Sequence, residues 1–313
     1  MPRAASSSAR CCSSGPPDRP HSKVMSRSIS SALFASEAAE AIVSPMLNVI
    51  VSNVAALLAL VPVALLPLRR AAGRDALYWG GLFLAVAGPL AWALGQQSNG
   101  WQTNLSADLW AGIAGSMAVF GIVAVISRHA WRLTPLMVPY MIVLGLFAAM
   151  FSFVPGEPLK DTMPPGWLDL HILVSMVTLA FLTVAAAAAL ASFLQARALK
   201  IKRPTRLSRF LPAVTDSERL FERLLIYAEV ILAFGVASGL AMKRLETGSA
   251  FTFDHKSLFS VIAFVTIGLL LVGRRVCGVR GQIAARVVLV AYSFVVLGFF
   301  GVKFVHQVVL AWA

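Results

Sequence analysis

Six ionisable residues fall within or at the ends of long apolar stretches: Asp108, Glu229, Lys303 and the histidines at 171, 255 and 306. An ionisable side chain inside a bilayer costs a few kcal/mol on insertion scales, so each is a functional candidate. Imidazoles at one depth on different helices are what axial ligation of haem iron requires. The same groups could hold a transition metal or pass protons, and a histidine at a membrane interface also serves as the polar tip of an amphipathic ring. A metal-only site lacks a ligand set: Asp169 and Asp254 lie close to His171 and His255 in sequence, but near neighbours on a helix face different directions. Lys303 suits either an amine that snorkels outward or a cation that attracts a carboxylate such as a haem propionate. No phosphate-cradling glycine loop, nucleophile elbow or metalloprotease His pair occurs. The expectation is a protein that is not an enzyme.

The elements that must position these residues are spans. The 313 residues are 58% hydrophobic and 13% charged, with a mean hydropathy of +0.78. A soluble domain carries about 25% charge, so this chain has too little to coat a water-exposed surface. A spanning helix needs roughly 20 apolar residues, and eight such stretches occur near 47–68, 76–95, 107–126, 134–154, 168–194, 224–242, 257–273 and 287–313. The expected fold is all-α, a polytopic transmembrane helix bundle of about eight spans. At a rise of about 1.5 Å per residue, Lys303 and His306 fall at the end of the eighth span where His171 opens the fifth and His255 the seventh.

Charge sets the orientation. The net charge of +13 could suggest nucleic acid, but its placement argues otherwise. Seventeen of the 27 Lys and Arg lie in four alternate loops, around Arg69–Arg74, Arg128–Arg132, Arg197–Arg223 and Arg274–Arg286. That asymmetry is the positive-inside pattern, which puts those loops in the cytoplasm, both termini outside, and the four candidate residues at the outer interface of a bacterial inner membrane. Residues 1–46 are Ser-, Pro- and Arg-rich and weakly apolar, so a disordered tail is expected there, followed by a transmembrane domain over 47–313. Arg3, Arg10, Arg19, Lys23 and Arg27 oppose export of that tail, and starts at Met25 or Met46 are alternatives to Met1.

The longest inner loop, about 195–223, reads as an orientation signal with headgroup contact, or as a docking site for a cytoplasmic partner. Its second half, after Pro212, reads as a short amphipathic surface helix capped by Thr215 or Ser217. Gly235 and Gly239 form a GxxxG around Ser238, a spacing that lets helices approach closely, here read first as internal packing, with a dimer seam as the alternative. Pro62, Pro89 and Pro135 are placed to kink or start helices. The three cysteines, Cys11, Cys12 and Cys277, form neither CxxC nor CxxCH, which excludes a thiol–disulfide carrier and a c-type cytochrome.

Three segments carry a resemblance. Leu170-His171-Ile172-Leu173-Val174-Ser175, the block from Glu218-Arg219-Leu220 through Ser238-Gly239 to Asp254-His255-Lys256-Ser257, and Phe300-Gly301-Val302-Lys303-Phe304-Val305 together resemble the cytochrome c assembly protein family, in its short eight-span branch. The resemblance implies haem handling at the outer face in support of attaching haem to apocytochromes, with haem as the cofactor and other cytochrome c maturation proteins as partners beside the lipid bilayer. His171 matches a family ligand; His255, Lys303 and His306 complete the expected cofactor-binding set. The chain departs from the larger synthetases: residues 243–256 contain no tryptophan, and Val272 and Leu310 stand where those proteins place histidines. The resemblance therefore implies assembly without synthetase chemistry. The alternative is a non-catalytic accessory subunit for a haem-biosynthesis enzyme or an ion transporter.

Overall fold

Backbone N–H and C=O groups in hydrocarbon must satisfy one another, so apolar stretches of this length close into helices. The computed structural model describes residues 43, 46–68, 73–97, 102–154, 157–158, 166–202, 205–247 and 255–305; at 68, 97, 102–103, 157–158, 245–247 and 255–256 it describes the backbone alone. Apart from Val43 and Met46, the expected tail lies outside the described residues. The chain clusters into two units, Met1–Val49 and Ile50–Ala313, and the packing below belongs to the second.

In order, the helices are α1 (Met46–Leu65), α2 (Ala76–Gln97), α3 (Leu105–Ile126), α4 (Thr134–Met150), α5 (Trp167–Ile201), the short α6 (Arg206–Phe210), α7 (Val214–Thr247), α8 (His255–Val276) and α9 (Gln282–Val296). A π-turn, Leu297–Gly301, carries α9 on to Phe304. Two-residue strands, Gln102–Thr103 and Glu157–Pro158, pair antiparallel. Among the described residues eight helices are long and apolar enough to cross a membrane, as the sequence predicts. Large apolar side chains face outward: Phe83 and Ile126 keep 75% and 78% of their surface uncovered, which water would penalise and lipid does not.

The spans α3 and α5 form the centre. The alanines of α5 at 185, 186, 188, 189 and 191 are buried, and their small size lets α3, α7 and α9 pack on its different faces. Polar groups inside the bundle pair with one another. Trp110 Nε1 donates to Asn53 Oδ1 at 2.7 Å, tying α3 to α1. The Thr183 hydroxyl donates to Leu179 O, which leaves its oxygen to accept from Tyr292 at 3.2 Å, and Tyr292 in turn accepts from Tyr140 at 2.8 Å. That chain links α4, α5 and α9. Where α1 crosses α2, a Cβ on Gly88 would stand 2.4 Å from that of Ala59, so only glycine fits.

Pro62 and Pro89 lie inside α1 and α2, and Pro135 opens α4. The inner loop departs from expectation. Its second half is not a separate surface helix: the Ser217 N–H bonds back to Ala213 O, so Thr215 and Ser217 are interior to a continuous 34-residue α7 and cap nothing. The cap in this loop belongs to α6, where Thr205 and Ser208 satisfy each other's backbone N–H groups.

The basic loops gather at one end of the bundle. There Arg74 donates to Ala124 O at 3.0 Å, Trp131 packs edge-on against Tyr78 and Phe210, and Arg274, sunk beside Phe221, pairs with Glu222 at 2.8 Å. The paired short strands, His171 and Lys303 occupy the other end.

Candidate functional site

Gly166, in the left-handed region at φ +84°, starts α5, and His171 falls on its second turn, half-buried. Its Nδ1 lies 2.8 Å from Ser238 Oγ on α7, and the Ser238 hydroxyl donates to Gly235 O at 2.9 Å. With the serine proton directed at Gly235 O, a neutral imidazole that donates from Nδ1 keeps its lone pair on Nε2. An imidazole held at Nδ1 by an oxygen acceptor is fixed in tautomer and in ring orientation, the support that iron- and zinc-ligating histidines use.

The close approach of α7 makes this contact. A Cβ on Gly239 would stand 3.3 Å from His171 Cε1 and 3.9 Å from Nε2, and one on Gly235 would touch Val174 at 3.5 Å. The GxxxG face is thus an internal helix–helix contact, and its glycines leave the imidazole edge room that any side chain would take.

Lys303 reaches a partner the sequence reading did not assign: its Nζ pairs with Asp108 Oδ2 on α3, both side chains about a fifth exposed. Asp108 sits in the first turn of α3, which Asn104 caps by accepting from Ala107 N–H at 2.7 Å. Lys303 sits in the last described turn of α9. The Asp108 carboxylate thus sits at the helix end whose dipole favours it. The π-turn sets the phase: the Val302 N–H bonds to Leu297 O, five residues back, which inserts one residue just before Lys303. The Phe300 ring, on that turn, would meet a Cβ on Gly112 at 3.3 Å.

Of the four expected residues, two are described with their side chains. His171 is held from α7 and Lys303 from α3. His255 opens α8 with its backbone alone described, and His306 lies outside the described residues. His129 stands at the basic end, before the turn Ala130–Leu133. Among the described residues no group of three or more His, Cys, Asp or Glu gathers to hold a metal ion. Should haem bind here, the His171 imidazole, held at Nδ1 by Ser238 against a helix face that a Cβ on Gly239 would fill, would supply a nitrogen ligand to its iron.

The profile of the family described as Cytochrome C assembly protein matches residues 104–310. The chain belongs to that family. The match begins at the cap of α3 and takes in Asp108, His171, Ser238, His255, Lys303 and His306. A protein of Azospirillum brasilense described as "Uncharacterized 28.8 kDa protein in nifR3-like 5'region" is 48% identical over 266 residues, covering 83% of this chain and 98% of that protein. No solved structure matches the chain. A multi-pass membrane protein of the cytochrome c assembly family is therefore what this chain is.

Proposed function

We propose that this protein is a non-catalytic haem-handling factor of a bacterial inner membrane, presenting haem at the bundle end opposite its basic loops, with His171 as the principal ligand. The observation that supports this most is the His171–Ser238–Gly235 relay beside Gly239. It suits a neutral ring that donates from Nδ1 and keeps its lone pair on Nε2, and it lies inside the region that the family profile matches. Haem, when bound, supplies the iron that an imidazole ligates. The chain's own residues do the rest. Ser238 holds the ring, Gly239 leaves it room, and the Asp108–Lys303 pair anchors α9 to α3 at the same end. Residues 243–256 carry no tryptophan cradle, which favours passing haem on, or sensing it, over attaching it to a protein. His255 and His306 are the further residues that would hold the group.

The test is a haem titration of the detergent-purified protein followed in the Soret region. Wild type gives a saturable band that His171→Ala abolishes or shifts at unchanged expression. Absence of a band in wild type, with excess haem and in both redox states, overturns the proposal and leaves the accessory-subunit reading.

A further inference from the structure

At the basic end, α5 runs past the membrane. Its 35 residues span about 52 Å at 1.5 Å per residue, against a hydrocarbon core of about 30 Å. Beside its last two turns lies a cavity of about 530 Å³ whose lining includes Arg132, Gln195, Leu199, Lys202, Ser208 and Arg209. Three chain segments contribute, and they are locked together. The Gln195 side-chain amide donates to Ser208 O at 2.5 Å and to Leu211 O at 3.1 Å. Trp131 packs edge-on against Phe210 with ring centres 5.3 Å apart, and Arg132 lies over Trp131 at 6.0 Å.

The lining holds three cations and no carboxylate, and among the described residues none of the three has an ion-pair partner. Mutual repulsion of unpaired cations around one cavity is a cost that an anion removes. A second cost points the same way. Lys202 ends α5 at φ +57°, the left-handed region, where it is the one non-glycine residue so placed among the described residues. Glycine would adopt that conformation freely; lysine adopts it at a cost and brings a charge to the rim.

We propose that this cavity binds a phosphate-bearing ligand, with Arg132, Lys202 and Arg209 as its cations. Guanidinium forks grip phosphate oxygens two at a time, and the ammonium adds a point charge. The phosphate can arrive on an anionic lipid headgroup or on a soluble phosphate ester. Leu199 and Ile201, 69% and 54% exposed beside the cations, give the rim the apolar surface that an acyl chain would cover. The inference is independent of haem binding, which concerns the opposite end.

Thermal midpoints of the full chain in nanodiscs test it. The discs are phosphatidylcholine alone, phosphatidylcholine doped with phosphatidylglycerol, and phosphatidylcholine with inorganic pyrophosphate in the buffer. At least one phosphate source raises the midpoint saturably. Arg132→Gln, Lys202→Gln and Arg209→Gln each weaken the apparent affinity about fivefold, while Arg275→Gln and Arg280→Gln, exposed at the same end but outside the cavity, leave it unchanged. Lys202→Gly guards against a folding artefact: its midpoint in phosphatidylcholine alone is at least that of wild type, yet it loses the same response. A response to phosphatidylglycerol only assigns a lipid; a response to pyrophosphate assigns a soluble ester. If neither source shifts wild type, or if the control variants weaken the response as much as the cavity variants, the proposal is wrong.

Discussion

A histidine becomes a ligand candidate through what holds its other nitrogen. Ser238 holds His171 Nδ1, and its own proton goes to Gly235 O, so the serine acts as a positioning residue. Ser238→Ala should lower haem affinity about tenfold or more with little change in folded yield, and Ser238→Thr, which keeps the hydroxyl, should restore it. Equal affinity in all three would remove Ser238 from the account. At the same end, Asp108→Asn removes the carboxylate that pairs with the partly buried Lys303 ammonium. A loss of about 1–2 kcal/mol is expected, below the cost of breaking a fully buried pair, measured as an earlier midpoint in a detergent-unfolding titration. Exchanging the two charges should recover only part of it, because a cation would then face the positive end of the α3 dipole. The candidate histidines and the lysine were legible because an ionisable residue stands out in an apolar stretch. Their partners were not. Ser238 and Asp108 are each in plain view in the sequence, yet which side chains meet depends on helix rotation, and the π-turn before Lys303 changes that rotation by a residue that hydropathy does not register.

Helices and their order are the most readable level, since about 20 apolar residues suffice to define a span wherever they face. What hydropathy does not specify is how far a helix continues into polar sequence. The continuation of α7 back to Val214, through Asp216, Glu218 and Arg219, merges a predicted surface helix with a span. Glu229 lies midway along this 34-residue helix. There Oε2 is buried with no hydrogen-bond partner among the described residues, and Oε1 would stand 3.0 Å from a Cβ on Gly268 of α8. An unpaired polar atom in such a place is a cost, so Glu229→Leu, which removes both oxygens, should leave the fold intact and raise the unfolding midpoint. A lower midpoint would show that the carboxylate makes a contact that holds α7 in the bundle. The α1–α2 crossing makes the opposite case. Gly88→Ala forces overpacking against Ala59 and should cost about 1–3 kcal/mol, and Ala59→Gly in the same chain should relieve it; a lack of rescue would place the strain elsewhere.

Across the whole molecule, the positive-inside count and the packing agree on which loops share an end. Arg74, Trp131, Phe210, Gln195, Glu222 and Arg274 are joined by contacts at one end, while the paired strands, His171 and Lys303 belong to the other. The charge rule then makes the first end cytoplasmic. In a chain with its native cysteines replaced, a thiol placed at residue 250 should react with an impermeant reagent on intact cells, and one at 205 only after permeabilisation. The reverse pattern would invert the protein, put His171 on the cytoplasmic side and contradict the proposed haem site at the outer face.

Magnetic resonance can show whether the His171 imidazole ligates iron. Protein labelled with nitrogen-15 histidine is loaded with haem, and the hyperfine coupling between the iron and the imidazole nitrogen is measured. The coupling is expected in wild type, retained in a form by both His255→Ala and His306→Ala, and lost or replaced in His171→Ala. An unchanged coupling in His171→Ala, or haem bound to wild type without any histidine coupling, would contradict the account.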